Sequence, residues 1–206
     1  MKIYDISQEL LGCSVYPGDP APKREVLSST EAGEKYNLST LFLCAHNGTH
    51  VDAPFHFLQN GRTIDQLPLT KTVGKAFVAK HSGDLNAADA EAILSQARAY
   101  DPDAARRILL KGELTVTEAA ADVFAKAKID LIGVESQSVG PVEAPMAVHL
   151  ILLGADVVLL EGLRLGAVES GVYLLFAAPI AVCGGDGAPC RAVLMDLDDR
   201  KKENEL

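Results

Sequence analysis

This chain has no run of basic residues, no long uninterrupted apolar stretch and no closely paired cysteines, and each absence removes a class of function. Its 206 residues carry 19 Lys and Arg against 28 Asp and Glu, for a formal net charge of -9. Without a basic footprint, nucleic acid is not an expected partner. The longest apolar run, AVHLILLGADVVLL over 147–160, is interrupted by His149, Gly154 and Asp156, so no membrane span is expected. The opening MKIYDISQEL lacks the apolar core of a secretory signal. The four cysteines (Cys13, Cys44, Cys183 and Cys190) make no CxxC pair and no dense framework, which fits reduced thiols and a cytoplasmic location. No internal repeat or low-complexity linker divides the chain.

What is present is an ordinary globular composition, 48% hydrophobic and 23% charged, enough for one compact domain with a real core. The first third reads as β structure: KIYDI, KREVLSS and the longer YNLSTLFLCAH, followed by GKAFVAK. Helical spacing then appears in NAADAEAILSQARAY, with Asn86 and Asp89 placed as a capping pair, and in TVTEAAADVFAKAK, with Thr115 and Glu118 at its start. RRILLK, IDLIGV and DVVLLE read as buried strands. EAPMAVHLILLG reads as a helix with Pro145 in its first turn and Gly154 just past its end. YLLFAAPIAV and CRAVLMD are again strand-like. The class is therefore mixed α/β, an antiparallel part joined to βαβ-like units, in one domain over 1–198 with a solvated tail over 199–206.

The chain has only five histidines, and three of them fall with an aspartate inside HNGTHVDAPFH, residues 46–56. A helix is excluded there by Gly48, β-branched Thr49 and Val51, and Pro54. An extended segment puts His46, His50, Asp52 and His56 on one face, because side chains alternate with a period of two. His50 and Asp52 then stand roughly 6–7 Å apart at Cα, close enough to share a metal, whereas His46 would lie about 13 Å from His50. The chain therefore turns between them, and Asn47-Gly48 is a strong turn pair. Imidazole and carboxylate together suit Zn, Mn or Fe better than Ca or Mg. The plainer account makes His46 and His50 polar residues beside a hairpin, with Asp52 as a turn former.

Two polar residues stand out elsewhere. His149 sits in an apolar helix and needs a partner; Glu161 ends an apolar strand, where carboxylates often face a ligand crevice. Five donors, His46, His50, Asp52, His149 and Glu161, with two carboxylates able to bridge, suit two metal ions better than one. His81 reads as a surface loop residue. GGDG over 184–187 could bring its backbone or Asp186 near the site, but a tight turn is the preferred reading.

HNGTHVDAPFH resembles the HxGTHxDxPxH signature of the putative cyclase family, which includes bacterial kynurenine formamidases and relatives that open cyclic amides such as isatin hydrolases. VYPGDP, HLILLGADVVLLEGL and GGDGAPCRAVL are similar to weaker elements of the same family, so the resemblance extends over nearly the whole chain. It implies a swivelling β/β/α domain, commonly dimeric, with zinc or manganese. It implies metal ligation by His46, His50 and Asp52, with Asp52 bridging to a second ion joined by His149 and Glu161. It further implies His56 as the acid/base and Tyr16 as a wall of the substrate pocket. The formamidases carry tryptophan where Tyr16 stands, and this chain has no tryptophan; tyrosine stacks with a smaller face and a polar tip.

The expected function is thus hydrolysis of an amide bond in a small molecule, an aryl formamide such as N-formylkynurenine or a cyclic amide, by a metal-activated hydroxide with His56 moving the proton. Two other readings compete. His50, Asp52 and His149 also spell the facial triad of a non-haem Fe(II) oxygenase. That reading gives no task to His46, His56 or Glu161, and the nearest arginine for an oxo-acid is Arg164. The third reading is a metal-binding protein without catalysis.

Overall fold

The computed structural model describes residues 1–196; the expected tail, 199–206, lies outside them. In chain order the strands and helices are β1 (Lys2–Asp5), β2 (Lys23–Ser28), β3 (Leu38–Phe42), β4 (His50–Asp52), β5 (Val73–Lys80), β6 (Gly83–Leu85), α1 (Ala87–Tyr100), β7 (Arg107–Lys111), β8 (Leu114–Val116), α2 (Glu118–Ala127), β9 (Leu131–Val134), α3 (Met146–Gly154), β10 (Val158–Glu161), β11 (Gly171–Phe176), β12 (Gly187–Pro189) and β13 (Val193–Asp196). Nine strands form one sheet in the order β1-β13-β11-β5-β7-β9-β10-β4-β12. Its centre, β5-β7-β9-β10, is parallel, and the strands flanking it pair antiparallel. This is the mixed α/β class expected from the sequence.

The central strands are buried on both faces, which is why they read as continuous apolar runs. Phe77, Ile108, Leu110, Ile132, Val134 and Leu159 meet the helices on one face. Their alternating neighbours Val78, Leu109, Leu131, Val158 and Leu160 enter a second core on the other. Helices α1, α2 and α3 pack side by side on the first face. Asn86 and Asp89 form the expected capping box at the start of α1.

Local departures from the sequence reading each have a cause. The cap of α2 is Thr117, not Thr115, because Thr115 is drawn into β8, where it pairs with Asp84 of β6. Gly154 is the last residue of α3 rather than a residue beyond it; the chain reverses at Asp156, with φ 63°. The strand expected to run into the motif stops at Phe42, and Asn47 closes a turn there by donating its N–H to the Cys44 carbonyl and accepting the Cys44 N–H on its side chain. YLLFAAPIAV is strand only as far as Phe176, since Pro179 lacks an N–H and constrains the residue before it.

Gly162 joins the end of β10 to the turn before β4. It adopts φ +70°, and a Cβ there would lie 2.3 Å from the Gly48 carbonyl oxygen and 2.5 Å from Gln137 Oε1. Its own carbonyl accepts from Thr49 Oγ1 at 2.7 Å. Gly162→Ala is therefore expected to destabilise the fold by about 1–3 kcal/mol, read as a lower urea midpoint. Gly166→Ala, where a Cβ meets nothing within 4 Å, should leave that midpoint unchanged.

Candidate metal centre

The site forms where β4 lies between β10 and β12. His50 and Asp52 are two residues apart on β4 and share a face. Glu161 stands directly opposite His50 in the β10 pairing, so cross-strand register alone puts it on that face. The face looks towards the helices, and α3 supplies His149 from its buried side. His46 enters from the turn before β4. Gly48 in that turn has φ +66°, the backbone that the Asn47-Gly48 pair predicts. All five expected donors therefore meet, although only His50 and Asp52 do so by strand alternation.

Asp52 lies at the centre. Its Oδ1 is 2.8 Å from His46 Nδ1 and 3.4 Å from His50 Nε2, and its Oδ2 is 3.8 Å from His149 Nε2. Glu161 reaches His50 Nε2 through Oε2 at 3.4 Å and His149 Nε2 through Oε1 at 3.5 Å. Asp52 belongs to two triads, His46/His50/Asp52 and Asp52/His149/Glu161, each with ligand atoms within 4.8 Å of one another; a third such group is His46/His56/Asp186.

The residues fit a divalent cation. His50 Nε2 and Asp52 Oδ2 are buried and have no hydrogen-bond partner, an arrangement that is costly unless something else satisfies them. Ligands of a tetrahedral zinc stand roughly 3.3 Å from each other, close to the separations just given. The ring tautomers also suit ligation. His50 Nδ1 donates to the Gly48 carbonyl at 3.0 Å and His149 Nδ1 to the Pro145 carbonyl at 2.8 Å, leaving both Nε2 lone pairs facing the carboxylates.

The charges follow from this packing. Complete burial opposes ionisation of Asp52, but the imidazoles of His46 and His50 outweigh it and hold the carboxyl well below its usual range. Burial likewise works against charge on His46, yet Asp52 and then Asp186 raise it to about 9. His50 is also raised, against burial, by Asp52 and Glu161, and His149 by Glu161 and Asp52. His56 moves the other way, lowered chiefly by burial. Its ring stacks near His46, centroids 4.1 Å apart. It arrives on a 3-10 turn over Pro54–His56, where the strand ends, instead of by continued alternation.

A cavity of about 220 Å3 opens onto the triads, walled by Tyr16, Phe57, Gln137, Ser138 and Pro145 along with the histidines and Glu161. Tyr16 reaches it as expected. Its hydroxyl donates to the Val142 carbonyl at 2.6 Å, so the polar tip is engaged and the ring lines the wall. His81 is remote from the site, with Nε2 3.9 Å from Asp89 Oδ2. Arg164 is occupied with the carbonyls of Glu135 and Leu163 and does not line the cavity.

One further residue stands near the centre, although the sequence alone favours a tight turn for it over an approach to the site. Asp186, in GGDG, places Oδ2 2.7 Å from His46 Nε2 and 3.5 Å from His56 Nδ1. The isolated carboxylate gave the only signal, and the β12–β4 pairing that delivers it spans more than half the chain.

Known proteins resemble this chain over nearly its whole length. A kynurenine formamidase of Salinibacter ruber is 35% identical, matching 97% of this chain and 100% of its own length. A kynurenine formamidase of Erythrobacter litoralis is 31% identical over 96% and 95%. Among solved structures, one described as a potential metal-dependent hydrolase with cyclase activity superposes with a TM-score of 0.78 at 28% identity, covering 96% of this chain and 98% of that one. An isatin hydrolase bound to the product analogue thioisatinate shares the fold, with a TM-score of 0.80 at 18% identity over 94% and 91%. The sequence model of the putative cyclase family matches residues 4–141, including the whole histidine motif, and with relatives at this identity over nearly full length, the chain belongs to that family.

Proposed function

We propose that this chain is a metal-dependent hydrolase of an amide C–N bond in a small molecule, an aryl formamide such as N-formylkynurenine or a cyclic amide such as isatin. The reading rests above all on Asp52, which belongs to two donor triads whose other members line a cavity. The relatives named as kynurenine formamidases support the reaction class. We read residues 1–198 as one catalytic domain, with His46, His50, Asp52, His149 and Glu161 as ligands of two ions, zinc or manganese.

Divalent ions held there supply Lewis acidity and bring the pKa of water towards neutrality. The protein's own groups do the rest. His56, beside the ligands and lining the cavity, takes a proton from the attacking water as its oxygen bonds to the carbonyl carbon. It returns that proton to the nitrogen as the C–N bond breaks, so a carboxylic acid and an amine leave. Tyr16 and Phe57 provide aromatic walls for a flat substrate. The oxygenase reading fails to use Glu161, which is only 2% exposed and pointed at two histidines.

A homodimer and a cytoplasmic setting complete the proposal. The β2–β3 hairpin exposes Val26 at 52%, Leu27 at 55%, Leu41 at 51% and Phe42 at 54%. A two-stranded hairpin is marginal without something to pack on, and a second copy supplies that cover. The four free cysteines fit a reducing compartment.

Metal analysis of protein purified without added metal tests the ligand set. Near two equivalents are expected in wild type, almost none in Asp52→Ala, and a partial loss in Glu161→Ala; a metal content unaffected by Asp52→Ala would refute the shared site. His56→Ala should keep its metal while kcat on an aryl formamide falls roughly 10²–10⁴-fold. Wild-type turnover should be the same with and without oxygen, and an absolute oxygen requirement would return the oxygenase. Sedimentation velocity should show a dimer that the double substitution Leu41→Lys, Phe42→Lys dissociates; a monomeric wild type would remove the dimer from the proposal.

A further inference from the structure

The three imidazoles that face Asp52 and Glu161 share one design. Each turns one ring nitrogen towards the carboxylates and the other towards an acceptor that fixes the ring. For His50 the acceptor is the Gly48 carbonyl, and for His149 the Pro145 carbonyl. Both acceptors are local backbone, two and four residues away. His46 has no such carbonyl. Its Nε2 meets Asp186 Oδ2 at 2.7 Å, a side chain 140 residues distant in sequence.

His46 also has the least secure backbone of the three. His50 lies on β4 and His149 on α3, whereas His46 sits in the turn before β4. What confines its ring is the β12 segment. The Asp186 carbonyl accepts the Ala53 N–H at 2.9 Å, and Gly187 pairs directly with Asp52. The His46 ring lies against Gly187 so closely that a Cβ there would be 2.8 Å from His46 Cε1. The same Asp186 oxygen lies 3.5 Å from His56 Nδ1, so one carboxylate touches both the ligand and the ring stacked beside it.

We propose that Asp186 is a positioning residue of the metal centre: by accepting the Nε2–H of His46 it fixes that ring's tautomer and angle, leaving Nδ1 for the ion on the His46/His50/Asp52 side. A carboxylate in this role orients the imidazole and raises its basicity as a ligand, and its loss typically costs 10–100-fold in metal affinity. Among the described residues the Asp186 carboxylate pairs with His46 and His56 and not with His149 or Glu161, so the effect falls on one of the two ions. Asp186 is half-exposed, with 46% of its side chain accessible, so its removal leaves the core intact. The inference rests on the metal-dependent reading given above, but its test needs no turnover.

The test is calorimetric titration of metal-stripped, substrate-free protein with zinc and then manganese, alongside thermal melting. Wild type should show two binding events. Asp186→Ala should weaken one of them by about 10–100-fold and leave the other, and the metal-free melting temperature, unchanged. Asp186→Asn, which keeps an oxygen acceptor without the charge, should fall between. Glu161→Ala should weaken the event that Asp186→Ala spares, and His56→Ala should weaken neither. Two unaltered events in Asp186→Ala would overturn the proposal, as would equal weakening of both events or a collapsed melting temperature, since each marks a merely structural role. A wild type that binds neither metal would instead refute the metal-dependent reading itself.

Discussion

The structure depends on an anion buried in a sheet. Asp52 is 1% exposed, and its strand is paired on both sides. An unpaired carboxylate in such a place is expensive enough that proteins neutralise it or surround it with compensating charge. Here the compensation comes from every direction: His50 from its own strand, His46 from the preceding turn, and His149 from the helix above. Glu161 adds a second buried acid across the strand pair and makes the arrangement acceptable only with cationic partners. The set is therefore stable as a whole and poorly stable in parts.

The remainder of the fold can be understood as the means of holding this set still. Strand β4 is only three residues long, yet β10 and β12 fix it on both edges and so fix the direction of His50 and Asp52. Strand β10 belongs to the parallel core, whose apolar residues pack on both faces, so Glu161 has little freedom. Its Oε1 also accepts the Val139 N–H at 2.7 Å, which ties the carboxylate to the loop between β9 and α3. Helix α3 is apolar nearly all round, the composition of a buried helix, and His149 is its only polar interior residue. A site carried on strands and a packed helix holds its donors more closely than loops can.

How much of this could be read from residues alone followed from distance along the chain. The motif, its turn at Asn47-Gly48 and the class of the fold rest on local periodicity and turn chemistry, and these were legible. His149 and Glu161 were legible as anomalies, because a polar group in an apolar run demands a partner whatever the topology. Asp186 was less so: GGDG could bring it near the site, but an aspartate there is an ordinary turn residue until β12 is known to pair with β4. Thr115 was misplaced for a similar reason: a parallel pairing with β6 competed with the helix for the same residues, and local propensity cannot weigh a strand thirty residues away. The β2–β3 strands were recognised, but their exposure was not, because alternation says which residues share a face and not what covers it.

The donors also explain why the site tolerates both a protonated and a metal-loaded condition. Without a cation, the carboxylates of Asp52, Glu161 and Asp186 favour protons on His46, His50 and His149, which is the sense of their upward shifts. A divalent ion would supply positive charge while requiring neutral imidazole, so loading would release protons. The exchange asks little of the scaffold, because the rings are already held by acceptors on their far sides and the carboxylate oxygens already face inward. His56 stands outside this exchange. Burial lowers its pKa, and its position at the cavity wall leaves its ring available to a substrate. In the proposed hydrolytic site the work divides between the ligand imidazoles and His56, and register separates His56 from two of the proposed ligands: β4 carries His50 and Asp52, and the 3-10 turn that follows it carries His56.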